Sequence, residues 1–314
     1  MMQNKKIILL IGCLLLTGIS IFGQSLTQEL SQTMLQVRQG QYFKGTAPFR
    51  KIIEANPASI IKEAQPYLAD TLSNVRSFAY ELIHASGKTS NEKEVRQAAV
   101  LNLVPGCKDK GAGIPGKTGK YLQQYGRDDF SAAAKDSISA IIKHGTDYLE
   151  NVLLVAGYLN LANTMADIRV VFTNPRQNDK TKWAGHLALS RMGDEAETSY
   201  CIRVMQARPM NNAIIYNMAP GLIYTHQKAA CDYLVTILNS NDKNCLSPNP
   251  DNGGQIVCGY RVMEFLAPVI VDFPLQTIDG LNQIKTNNYE TALETTRAWF
   301  KTKAGNYSIK TDAF

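Results

Sequence analysis

The chain has 314 residues, 45% hydrophobic and 19% charged, with 33 Lys+Arg against 27 Asp+Glu for a net charge of +6. That composition is globular and excludes disorder, collagen-like repeats and a dense disulfide scaffold. The basic excess is too mild to argue for a nucleic-acid partner.

The first 23 residues read as a secretory signal peptide: a basic start with Lys5 and Lys6, an apolar run over 7–19, and a small-residue exit ending at Gly23 before Gln24 and Ser25. Cleavage near Gly23 would place the mature chain in the periplasm or outside the cell. Two other readings of this segment attach it to a membrane. Residues 7–22 are only slightly shorter than a span of about 17–25 residues, and Leu10-Ile11-Gly12-Cys13 resembles a lipobox, which implies lipidation at Cys13.

After the leader come an N-terminal helical segment over 24–57, a helical region over 58–303 and a C-terminal tail over 304–314. Ile60, Ile61, Ala64, Tyr67 and Leu68 make one apolar stripe; Val75, Phe78, Ala79, Leu82 and Ile83 make the next. The spacing recurs at Leu149 to Ala156, Ala230 to Leu238, Val262 to Ile270 and Tyr289 to Phe300. Breaks are expected at Asn56-Pro57, Ser86-Gly87, Pro105-Gly106, Gly126, His144-Gly145, Asn174-Pro175, Gly193-Asp194, Pro209 and the stretch 245–259. Only 168–173 and 255–260 alternate like strands, too few for a βαβ fold. The pattern predicts an all-α protein, either a globular bundle or a stack of helix pairs.

Asn74-Val75-Arg76-x-x-Ala79-x-x-Leu82, Glu94-Val95-Arg96-x-x-Ala99 and Lys182-Trp183-Ala184-Gly185-His186-Leu187 with its closing Gly193-Asp194 resemble the second helix of HEAT repeats. Pro66, Pro220 and Pro268 are similar to the prolines that kink the first helix. The resemblance implies a right-handed α-α superhelix, a HEAT-like solenoid of about six or seven helical pairs over 58–303. Two features depart from the family: Val75 and Val95 stand only half a period apart, and Asn74 and Glu94 replace the acids of its Asp-Arg ladder.

Cys245 and Cys258 flank a turn-rich stretch and are the candidate disulfide; Cys201 with Cys231 is a second possible pair, and buried free thiols are the alternative. No Cys/His spacing suits zinc. Residues 111–118 fit the phosphate-cradling pattern G-x-x-x-x-G-K-T. However, that mechanism needs a strand before Gly111 and a helix at Lys117, whereas Lys108-Asp109-Lys110 precedes and Gly119 and Gly126 follow. A basic loop is expected instead, with Lys108, Lys110, Lys117 and Lys120 able to attract an acidic ligand over 108–127 or simply to stay solvated. The four histidines are scattered, and no H-E-x-x-H or G-x-S-x-G occurs. Trp183 and His186 share one helix with Arg191 and make a candidate recognition surface, the alternative being ordinary interhelical packing.

The expectation is a non-catalytic binding or scaffold protein that docks a protein or peptide partner on the solenoid surface, with no cofactor. An envelope hydrolase on a helical scaffold is the alternative, and nucleotide binding at 111–118 a weaker one.

Overall fold

The computed structural model describes residues 26–42, 44–146, 148–247, 253–278, 283–310, 312 and 314. The expected leader, Cys13 included, lies outside them. Among the described residues the fold is all-α. In chain order the helices are α1 (26–38), α2 (Arg50–Ala55), α3 (Pro57–Ala64), α4 (Ser73–Thr89), α5 (Lys93–Leu103), α6 (Ile114–Leu122) and α7 (Ala132–His144). There follow α8 (Glu150–Leu159), α9 (Met165–Thr173), α10 (Asp179–Arg191), α11 (Glu195–Gln206), α12 (Asn212–Tyr224), α13 (Lys228–Asn239), α14 (Gly259–Leu266) and α15 (Tyr289–Lys303). They fall into two compact units, one running to Ala134 and the other starting at Lys135.

In the first unit each apolar stripe is covered by the next helix. Ile60, Ile61 and Ala64 of α3 are buried with Val75, Ala79, Leu82 and Ile83 of α4. Here α3 packs on α4 and α4 on α5, while α3 also meets α5 and α4 meets α6. Each buried aliphatic side chain contributes about 1.5–3 kcal/mol, which a lone helix would forgo. Ser86-Gly87 is not a break, because α4 runs through it. A Cβ at Gly87 would lie 2.4 Å from both the Ala99 Cβ and the Tyr125 hydroxyl. The glycine therefore serves close packing of α4 on α5.

Helices α3 and α5 end in the same way. Each continues into a 3-10 turn, Gln65–Ala69 and Val104–Lys108, with Pro66 and Pro105 near its start. An extended aspartate follows, and its Oδ1 accepts the N–H two residues on: Leu72 to Asp70 at 2.9 Å, Gly111 to Asp109 at 2.7 Å. Arginines then claim these carboxylates. Arg38 pairs with Asp70, and Arg76 grips Asp109 through two hydrogen bonds of 2.7 Å. Arg96 reaches Asp129, also at 2.7 Å. Three Asp–Arg pairs thus recur, each acid 32 or 33 residues after its arginine; Asn74 and Glu94 take no part in them. Val75 and Val95 lie on successive helices, which explains their short separation.

In the second unit α8, α10, α12 and α14 are successive neighbours, as are α11, α13 and α15. Of the three prolines expected to kink a helix, only Pro220 lies inside one, in α12. Pro66 is in its 3-10 turn, and Pro268 follows the end of α14 at Leu266. The stripe expected to run to Ile270 therefore stops early. Residues 269–271 instead pair with the C-terminal segment through an Ile270–Ile309 bridge. Of the two strand-like segments, 168–173 is helical, and Gln255–Ile256 forms a two-residue ladder with Cys245–Leu246. Cys245 and Cys258 are disulfide-bonded across that ladder, whereas Cys201 and Cys231 are separate buried thiols and not a pair.

Two predictions follow from the packing of the first unit. The Arg76 and Asp109 side chains are 14% and 7% exposed. Removing one partner of such a buried pair strands the other, so Arg76→Ala should lower the unfolding free energy in urea by about 3 kcal/mol. Arg96→Ala, with its side chain 28% exposed, should cost less; equal small losses would contradict the role of these pairs. The second concerns His84, stacked 3.8 Å from the Tyr121 ring, whose Nδ1 is buried without a hydrogen-bond partner among the described residues. Burial first, and Lys88 next, lower its pKa from 6.5 to about 4. The unfolded chain then holds the extra proton more readily, so stability is full above pH 6.5 and is lost as the pH falls towards 4. His84→Phe should flatten that part of a melting-temperature profile, and an unchanged profile would refute the assignment.

Candidate functional site

The sequence around Trp183 folds into a tightly seated helix. The Asn178 side chain caps α10 by accepting the Thr181 N–H at 2.9 Å. The small residues of α10 let its neighbours approach closely: a Cβ on Gly157 of α8 would stand 2.8 Å from the Ala188 Cα, and one on Gly185 would stand 3.1 Å from Phe172. On the side facing α12, a Cβ at Gly221 would meet Leu187 at 2.9 Å and the Trp183 Nε1 at 3.3 Å. Next to it, Pro220 has no N–H to donate to the Tyr216 carbonyl, a local weakness in α12.

Two recesses flank Trp183, and both include Asn217. The first, about 510 Å³, is apolar and lies across α8, α10, α12 and α14, with Leu154, Leu187, Ile223, Phe265 and Val269 on its walls. The second, about 530 Å³, lies among α9 to α12 and contains His186, Phe172 and Tyr200, with Lys182, Arg208 and Asp179. Volumes of this size suit a small ligand or a few side chains. Trp183 is half-buried and stands on the wall of both recesses. A half-buried aromatic face is a common anchor for peptides and proteins.

His186 is held from three sides. Its Nδ1 lies 2.5 Å from the Glu197 Oε2, and its ring sits between Phe172 at 4.3 Å and Tyr200 at 4.1 Å. The carboxylate fixes the tautomer and leaves Nε2 for other bonds. Such a pair can exchange a proton, but no serine, threonine or cysteine lines either recess among the described residues. The free thiols of Cys107, Cys201 and Cys231 are buried, and burial pushes each up to about 12, so none is a ready nucleophile.

The candidate residues therefore divide. Trp183 and His186 meet in one recess. Arg191 does not join that surface: it is buried, donates to the Tyr224 carbonyl and stacks over the Tyr158 and Tyr224 rings at 5.6 and 5.0 Å. Lys108, Lys110, Lys117 and Lys120 belong to the first unit. Lys108, Lys110 and Lys120 are exposed, whereas Lys117 is half-buried and bonded to the Glu81 carboxylate at 2.9 Å.

The expected basic loop is in part helix. Gly113 caps α6 with a φ of +80°, and Pro115 sits in its first turn. The stretch before Gly111 is a 3-10 turn, and the N–H groups of Ile114 and Lys117 are spent on the carbonyls of Gly111 and Gly113. These features do not form a phosphate cradle. Sequence reading missed Glu197, Phe172, Tyr200, Tyr158 and Tyr224, which reach the site from other helices and carry no local signal. No family model matches the chain, and no curated protein is similar to it.

Proposed function

We propose that the chain is an exported binding module, HEAT-like within each unit, whose α8, α10, α12 and α14 line a groove for a protein or peptide partner. Contact between alternate helices within each unit, together with the helix-Pro turn-Asp element and the Asp–Arg pairs of the first unit, supports stacked helix pairs inside each unit. The Cys245–Cys258 bond supports an oxidising compartment and hence export to the periplasm or beyond. Docking without chemistry is favoured over a hydrolase because His186 is fixed by Glu197 and two rings with no serine, threonine or cysteine lining its recess among the described residues.

The observation that carries the reading is Trp183, half-buried and lining two recesses at once. The test is a photo-crosslinking residue at Ile223, in the groove, compared with one at Val170, which is 64% exposed on α9. In the producing cell, position 223 should give a discrete adduct that position 170 does not. Trp183→Ala should weaken it by about tenfold or more while helical circular dichroism is retained. The same bands from both positions, or indifference to Trp183→Ala, would contradict the proposal.

A further inference from the structure

The groove proposed above already holds a segment of its own chain. Past α15 the backbone turns at Ala304 and Gly305, both left-handed with φ of +47° and +83°. It then returns antiparallel to residues 269–271. The Val271 N–H donates to the Ser308 carbonyl at 2.9 Å, the Lys310 N–H to the Val269 carbonyl at 2.8 Å, and the Lys310 Nζ to the Pro268 carbonyl at 2.9 Å. Further on, the Tyr158 hydroxyl donates to the Asp312 carbonyl at 3.4 Å. The Phe314 ring stands edge-on to Tyr158 at 5.2 Å and tilted against Tyr224 at 5.4 Å, at the wall of the apolar recess.

The backbone bonds of 308–310 are of ordinary length, whereas the ring contacts of Phe314 are individually weak. Phe314 is half-exposed, Asp312 is exposed, and an aromatic pair contributes only about 0.5–1.5 kcal/mol. A bond of 3.4 Å is at the long limit. The tether adds to the bonds of 308–310 by holding Phe314 at a high effective concentration. Backbone pairing along 269–271 with one aromatic side chain anchored beyond it is also how an exposed edge takes up an extended peptide. The resident segment thereby displays the chemistry the groove fits.

We propose that the partner is an extended peptide segment carrying an aromatic side chain, and that Phe314 with the strand before it is a resident competitor which the partner must displace. The claim rests on the docking reading above and adds the ligand's class and a gate. Both the pairing edge and the aromatic corner formed by Tyr158 and Tyr224 would be vacated in the exchange.

The probe is a fluorescent synthetic peptide copying residues 306–314, titrated by anisotropy into the full chain. Phe314→Ala in the protein should tighten binding of the probe by about tenfold, because the corner is then open. Lys310→Pro, which removes the pairing N–H and the Nζ bond to the Pro268 carbonyl without touching the corner, should tighten it less. A probe with alanine in place of its own phenylalanine should bind the Phe314→Ala protein about tenfold more weakly. Equal affinity for both probes, or no gain from either protein variant, would overturn the proposal. If no probe binds while the Trp183-dependent adduct at position 223 persists, the competitor is refuted and the docking groove stands. If the adduct is absent while the probe competes as described, the groove takes only its own segment and the partner reading fails.

Discussion

None of these helices can hide its own apolar stripe, and the structure depends on that constraint. The stripes are wider than one neighbour covers, so a helix is flanked by more than one other, and alternate helices in each unit come into contact. Small residues set the approach: Gly87 against Ala99 in the first unit, Gly157 against Ala188 in the second. Where α10 meets α12 the pattern changes, because Trp183 stands beside Gly221 where a smaller residue would close the seam. The recesses on either side of that indole are a packing consequence before they are a binding site.

The buried arginines complement this apolar scheme. Burial alone would raise the Asp109 carboxyl, but the Arg76 guanidinium and the Gly111 N–H hold it below the usual carboxylate range. Its oxygens are shared between that guanidinium and the turn that follows α5, so one residue joins the end of α5 to α4, the helix before it. Arg191 does comparable work in the second unit, tying α10 to the end of α12 and lying under two tyrosine rings. That is why a residue placed by its helix near Trp183 is part of the frame and not of the groove.

Much of the helical content was legible because i, i+3, i+4 spacing reports one buried face directly, as in α4, α13 and α15. Glycine was harder to read. Gly87 looks like a stop but is a contact, and Gly116 and Gly119 lie inside α6, where Pro115 and the left-handed Gly113 start the helix. The Asp–Arg pairs were hidden because their partners are 32 or 33 residues apart, a distance no local pattern spans. Trp183 and His186 could be paired from one helix, but Glu197, Phe172 and Tyr200 are assembled only by tertiary packing. The order of residues 308–310 had no signal at all, since their bonds are to the backbone of 269–271.

The account holds that the Trp183 wall is open to ligand and becomes covered when an extended aromatic segment enters. Acrylamide quenching of Trp183, read in a Trp299→Phe chain so that one indole emits, addresses this directly. With Phe314 also replaced by alanine, emission should be readily quenched in the free protein and shielded once the 306–314 peptide saturates it. Identical quenching with and without the peptide would show that the bound segment lies elsewhere and that the wall is only packing.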